Sequence, residues 1–257
     1  GVLLTCIISN FVFATDDKYF SQDMKKSDPE MVKEFFESWE LLRQSHLDPQ
    51  ALDKALSLLR PYLQSHSEDP VLLWKWSEFM FYKGESIKDK KQRLAIYWEA
   101  LDHARKSLDK SPSLEAHFWT GCIAARLAEM EKGFTAMKLV NEALKRLEQV
   151  SQMDPQHYLS APADTILAAI YIKAPWPVKD LDTAKDYLLK SYDKDPNLTM
   201  TCEKLSAYYL VTKDYEKAET EAKKCLAIEN PTFVWDSVLY NWPKVRKILA
   251  KAQAEKR

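Results

Sequence analysis

Asp195 to Pro231 reads DPNLTMTCEKLSAYYLVTKDYEKAETEAKKCLAIENP, and this stretch decides the fold. It begins and ends on a polar capping residue followed by proline. Between them lie two amphipathic segments joined by the turn Lys213-Asp214-Tyr215-Glu216-Lys217. Asp, Ser or Asn at a helix N-cap accepts from an orphaned backbone N–H, and proline at the first helical position loses no hydrogen bond. Each such pair therefore predicts a helix start. Seven of the twelve prolines belong to one: Asp28-Pro29, Asp48-Pro49, Asp69-Pro70, Ser111-Pro112, Asp154-Pro155, Asp195-Pro196 and Asn230-Pro231. From Pro70 onward the prolines recur at intervals of 42, 43, 41 and 35 residues. A regular interval of helix starts predicts stacked helical hairpins, an all-α tetratricopeptide-like repeat array, or α-solenoid.

The same stretch carries the residue pattern of that repeat, W-x2-L-G-x2-Y, then A-x3-F, then P. Here it is Cys202-x2-Leu205-Ser206-x2-Tyr209, Ala218-x3-Ala222 and Pro231. Earlier copies are Leu167-Ala168-x2-Tyr171 with Ala184-x3-Leu188, Thr120-Gly121-x2-Ala124 with Ala143-x3-Leu147, and Trp76-Ser77-x2-Met80 with Ala100-x3-Ala104. A half-copy, Ala55-x3-Leu59, precedes Pro70. Ala100, Ala143 and Ala184 each stand twelve residues before their proline. A larger side chain there would overpack the contact between the two helices of a hairpin. The pattern predicts helices over 29–45, 49–65, 70–83, 88–110, 113–130, 135–152, 162–173, 180–193, 197–212, 215–228 and 243–254. Pro61 is expected to kink or shorten the second. Trp235 to Pro243, with Trp242, is expected to cover the apolar end of the stack. The chain thus divides into 1–14, a signal-peptide remnant; 15–48, an N-terminal helical extension; and 49–257, the repeat domain.

Four glycines, 29% charged and 46% apolar residues suit a helical protein with short connections. A net charge of −1 supplies no whole-chain field for nucleic acid or an anionic membrane. The run Lys88-Asp89-Lys90-Lys91-Gln92-Arg93 reads as a solvated helix face. Gly1 to Ala14 (GVLLTCIISNFVFA) has no charge and is too short to span a bilayer as a helix. It has the form of a secretory h-region ending at Val12-x-Ala14, which predicts a periplasmic or secreted protein without a membrane span after cleavage. A lipoprotein attached through Cys6 and a buried N-terminal helix are the alternatives. Cys122, Cys202 and Cys225 fall at apolar positions and read as structural thiols. Cys202 and Cys225 lie on the two helices of one hairpin, so their geometry permits a bridge.

No glycine-rich phosphate loop, G-x-S-x-G or H-E-x-x-H is present, and the five histidines have no metal-ligand spacing. The sequence therefore predicts a non-enzyme with no cofactor, no metal and no catalytic residue. Function is expected on the concave wall built by the first helix of each hairpin. Repeat geometry places Trp74, Glu78, Phe81 and Tyr82 there from one copy, then Phe118, Cys122 and Arg126. Thr165, Ile172 and Lys173 follow, then Glu203, Ala207 and Leu210. Such a wall suits a peptide segment, a partner protein or an apolar small molecule with one polar group. Packing of Trp74 and Phe118 into the core is the alternative. Lys173-Ala174-Pro175-Trp176-Pro177-Val178 interrupts one hairpin, and two prolines stiffen the backbone around Trp176. The ring is then either a partner anchor or tucked over the neighbouring repeat.

Two motifs carry a family resemblance. His117-Phe118-Trp119-x-Gly121 followed by Arg126-x-Ala128-Glu129 resembles the H-x-W-x-G…R-x-A-E helix of the TatT family. Tyr171-x-Lys173-Ala174-Pro175-Trp176-Pro177, with Asp180, Ala184 and Lys185, resembles its interrupting loop. That resemblance covers roughly residues 70–255. It implies a periplasmic repeat protein that assists a TRAP-type solute uptake system, oligomerises as a trimer and docks a solute-binding protein. It also implies an apolar ligand held in a pore through the bundle by some members. The expected function is thus an interaction scaffold of this transport type. A carrier of an apolar ligand and an envelope structural or assembly subunit are the alternatives.

Overall fold

The computed structural model describes residues 29–256, in which helices follow one another with short connections. They are α1 (Pro29–Arg43), α2 (Ala51–Ser65), α3 (Pro70–Ser86), α4 (Lys90–Lys110), α5 (Leu114–Ala128) and α6 (Gly133–Met153). After them come α7 (Ser160–Lys173), α8 (Leu181–Lys194), α9 (Thr199–Val211), α10 (Tyr215–Leu226) and α11 (Trp242–Glu255). Before α11 the chain makes a three-residue helical turn, Val234–Asp236, and a π-helical turn, Ser237–Asn241. Residues 1–28, with Asp28, Cys6 and the signal-like stretch Gly1–Ala14, lie outside the described residues.

Helices pair in sequence as hairpins, and α3, α5, α7 and α9 also touch one another in order. They form the inner layer, and α4, α6, α8 and α10 form the outer one. This is the tetratricopeptide-like solenoid that the proline interval predicts. Ala100, Ala143 and Ala184 are fully buried. Two glycines permit still closer approach. A Cβ on Gly84 would fall 2.3 Å from the Tyr97 ring, and one on Gly121 would fall 2.7 Å from Leu147 Cγ. α2 continues through Pro61, which does not end it.

The prolines mark something slightly different from helix starts. Asp69 is a true N-cap, its carboxylate accepting from Leu72 N at 2.8 Å with Pro70 next in the helix. Ahead of α5, however, Ser113 is the cap rather than Ser111. Asp48, Asp154 and Asp195 accept instead from the N–H two residues on, at Gln50, Gln156 and Asn197. These are Asx turns, placed a few residues before the helix. Proline keeps the preceding Asp out of the helical region, and its carboxylate then closes a turn. The interval is thus that of the links between hairpins.

The expectation of free thiols is corrected at one pair. Cys202 and Cys225 form a disulfide across the α9–α10 hairpin, with Cα atoms 5.5 Å apart. Both are buried, and Cys122 is a buried free thiol. The C-terminal end also divides in two. α11 packs on α10 and α9, burying Val245 and Ala252, and so covers the end of the stack. Trp235 does not. It belongs to the segment that crosses the concave face.

Candidate functional site

The concave face holds a recess walled by α3, α5 and α7 and roofed by the segment from Phe233 to Asn241. On α3, Glu78, Phe81, Tyr82 and Glu85 fall at helical spacing on one face and line it. On α5 the lining comes from Phe118, Trp119, Cys122, Arg126 and, just past its end, Glu129. α7 adds Thr165 and Lys173. The cavity has a volume of about 130 Å³.

Its floor is aromatic. Phe81 meets Tyr82 edge to face at 5.5 Å between centroids, Trp119 lies 5.8 Å from Phe81, and Phe118 lies 5.1 Å from Trp119. Trp235 enters from the other side, 5.3 Å from Trp39 of α1 and 6.4 Å from Tyr82. This contact joins the first helix to the last segment and closes the concave face over the aromatic floor. Thr232 anchors the crossing segment by donating from its backbone N–H to Asn197 O at 3.2 Å and from its hydroxyl to Asp195 at 2.7 Å. Asn241 donates to Thr199 Oγ1 at 3.1 Å and to Asp236 at 2.7 Å, and the Thr199 and Ser237 hydroxyls share a bond of 2.7 Å. Burial nonetheless raises the Asp236 carboxyl above its ordinary value.

The mouth is polar and internally paired. Arg126 lies 2.7 Å from Glu85 and 2.6 Å from Glu129, and Lys173 lies 2.6 Å from Glu129 on its other side. Burial opposes ionisation of Glu129, but Arg126 and Lys173 outweigh it and hold the carboxyl down at about 2. Deeper in, Glu78 pairs with Lys75 at 2.8 Å, and burial pushes its carboxyl upward.

Glu78, Phe81, Tyr82, Phe118, Arg126, Thr165 and Lys173 therefore stand around one recess. Thr165 does so with its hydroxyl already engaged by Ser191 and Thr201 at 2.8 and 2.9 Å. Ile172, Glu203, Ala207 and Leu210 do not line it, and neither do Trp74 and Trp176. Trp74, one turn before Glu78, is buried in the core, where the ammonium of Lys75 lies 5.2 Å from its ring and near those of Trp39 and Phe79. Trp176 is 86% exposed on the α7–α8 loop, away from the recess and not tucked over a neighbour. Trp39, Glu85 and Trp235 also line it but fall outside the inner-wall positions of the repeat. Trp39 lies in the segment assigned to the extension and Trp235 in the segment assigned to the end cap.

α3 and α5 supply two walls of this recess, and the comparison with known families falls on them. Residues 40–161 match the family described as Regulator of microtubule dynamics protein 1-3. Regulator of microtubule dynamics protein 1 of Mus musculus is 24% identical over 207 residues, covering 69% of this chain and 67% of the mouse protein. Among solved structures, a thermophilic tetratricopeptide protein of Thermus thermophilus superposes with a TM-score of 0.60 at 15% identity. The match covers 85% of this chain and 98% of the Thermus chain, and it shows the fold alone.

The match to the regulator family overturns the resemblance to TatT. Residues that carried it pack within the array. Gly121 admits Leu147, Trp119 joins the aromatic floor and His117 is buried, with burial and the nearby Arg146 and Lys145 lowering its pKa. Tyr171 stacks on Tyr187 at 6.0 Å, and Ala174 is buried beside Pro175 and Pro177 at the turn. The TRAP association, the solute-binding partner and the trimer rested on that resemblance alone and are withdrawn with it.

Proposed function

We propose that this chain is a non-catalytic interaction scaffold that binds protein partners in the control of microtubule dynamics, the role named for its mouse relative. The observation that carries the proposal is the coincidence of the family match with the recess. Residues 40–161 include the lining of α3 and α5, from Glu78 to Glu129. The chemistry of the mouth supports binding over catalysis: Glu85, Arg126, Glu129 and Lys173 are committed to one another. The test is the growth and catastrophe rate of dynamic microtubules with the full chain added, beside a Phe81→Ala/Tyr82→Ala variant. A change in rate that the variant loses supports the reading. An unchanged rate with the folded chain in excess removes it.

A second reading is carriage of an apolar small molecule, and the roof favours it. Phe233 to Asn241 roofs part of the groove and leaves an aromatic recess with a polar mouth, a form suited to an apolar body with one polar group. The Cys202–Cys225 bond supports the compartment for this reading, since such bonds persist in oxidising surroundings. The signal-like Gly1–Ala14 supports a secreted or periplasmic location in the same way. Native mass spectrometry separates the readings: a co-purifying small molecule lost in Phe118→Ala supports carriage, and a bare chain opposes it.

A further inference from the structure

The helix ends at one edge of the solenoid carry a surface that neither reading uses. The ion pairs from Glu85 through Arg126 and Glu129 to Lys173 join the C-terminal ends of α3, α5 and α7. The connections that follow those ends, α3–α4, α5–α6 and α7–α8, are therefore neighbours along that edge. Three large apolar side chains project from it: Trp176 (86% exposed), Phe134 (70%) and Met137 (57%). Isolated exposed side chains need no explanation, but two protruding aromatics and a methionine on neighbouring connections do.

Their charged surroundings choose the partner. Lys88, Lys90, Lys91, Lys132, Lys138 and Lys179 are exposed on the same connections and helix starts. None makes a salt bridge among the described residues. Apart from Asp182, exposed at the start of α8, the acids there are already engaged. Asp89 and Asp180 cap α4 and α8, Glu129 holds two cations, and Glu131 accepts from Trp98 Nε1 at 3.0 Å. Lys138 lies 4.5 Å over the Phe134 ring, which sets a cation beside a projecting aromatic. A net charge of −1 for the chain conceals this local excess. Unpaired ammonium groups around protruding rings complement an anionic lipid surface, with phosphates meeting the lysines and the rings entering the headgroup boundary.

We propose that this edge docks on an anionic membrane surface, with Trp176 and Phe134 inserted at the headgroup level. The proposal does not rest on either reading of the recess. Flotation of the full chain with phosphatidylcholine vesicles, and with vesicles one-third phosphatidylserine, tests it. Binding is expected to be about tenfold tighter to the anionic vesicles and to weaken with salt. Lys88→Glu/Lys91→Glu/Lys138→Glu should erase that preference, and Trp176→Ala/Phe134→Ala should weaken anionic binding about tenfold. All five side chains are exposed, and an unchanged circular dichroism spectrum verifies that the variants fold. Brominated lipid should quench part of the tryptophan emission, and Trp176→Phe should remove that part. Equal binding to both vesicle types with no Trp176-dependent quenching overturns the proposal, because Gly1–Ala14 alone would then explain attachment. Absence of vesicle binding, with Trp176→Ala instead abolishing capture of a protein, also overturns it.

Discussion

Arg126 Nε lies 2.7 Å from Glu85 Oε1, across the gap between the C-terminal turns of α5 and α3. The same guanidinium reaches Glu129 at 2.6 Å, and Glu129 reaches Lys173 at the end of α7. Three consecutive hairpins are thus tied at one rim of the recess. Arg126 and Lys173 each sit in the last turn of their helix, where a cation also meets the negative end of the backbone dipole.

Arg126→Met is expected to cost about 2 kcal/mol, between the small worth of exposed pairs and the larger loss on breaking buried ones. The side chain is 30% exposed and Glu85 is 15% exposed, so the pair belongs between those classes. The ladder also predicts a pH window. The Glu129 carboxyl is held at about 2 in the folded chain, below its ordinary value of 4.5. Its contribution is therefore present above the unfolded value and lost as pH falls from there through about 2. Urea midpoints measured across that window should fall more steeply for the parent chain than for Arg126→Met.

Lys75→Ala is expected to cost about 3–5 kcal/mol, because it leaves the Glu78 carboxylate buried without its ammonium. Both side chains are almost wholly buried, and Lys75 also meets the rings of Trp39 and Trp74 at 4.6 and 5.2 Å. Lys75→Met/Glu78→Leu removes both charges and keeps most of the volume, so it should recover most of that loss. Equilibrium unfolding of the three chains measures the difference. Equal losses in the single and double variants would show that packing, not charge, dominates.

The array was legible because its signals are local. Turn-forming Asp-Pro pairs and buried alanines at fixed offsets state where a hairpin begins and where its helices touch, so the helix bounds follow closely. The inner-wall residues Glu78, Phe81, Tyr82 and Phe118 were legible for the same reason, as positions within one repeat. The roof was not. Nothing local in Phe233-Val234-Trp235-Asp236 states that it turns inward, since its partners are distant in sequence: Trp39 lies nearly two hundred residues earlier. Trp74 failed differently: its face is right, but its turn of α3 is covered by the core around Lys75. The tertiary packing that buries it is invisible to a repeat pattern.

Gly84→Ala is expected to destabilise the chain by about 1–3 kcal/mol through overpacking, although alanine favours the helix by nearly 1. The new methyl would stand 2.3 Å from the Tyr97 ring. That ring is fully buried and its hydroxyl donates to Glu85, so it has little freedom to move aside. Gly84→Ala/Tyr97→Leu should restore part of the loss. Thermal midpoints of the two variants measure the effect, and a raised midpoint in Gly84→Ala alone would contradict it.

Removing the Cys202–Cys225 bond should cost about 3 kcal/mol, the loop entropy for a closure of this size. The bonded residues are 23 apart in sequence, and both sulfurs are buried in the last hairpin. Urea midpoints of the native chain with and without reductant, beside Cys202→Ala/Cys225→Ala, measure it. The reductant shift should vanish in the double variant.

Trp235→Ala tests the roof. The indole is buried against Trp39, Phe233 and Tyr82, so its removal should cost about 3–5 kcal/mol if the segment stays in place. The hydrogen bonds of Thr232 and Asn241 do not involve the ring and should hold the segment across the concave face. The expected result is a chain that still folds cooperatively but with an enlarged, open recess. An apolar dye should then bind where the parent chain excludes it, and Tyr82→Ala should produce less of this effect because the roof remains. Dye binding that is unchanged by Trp235→Ala, with stability reduced as expected, would mean that the surrounding rings collapse into the vacated space.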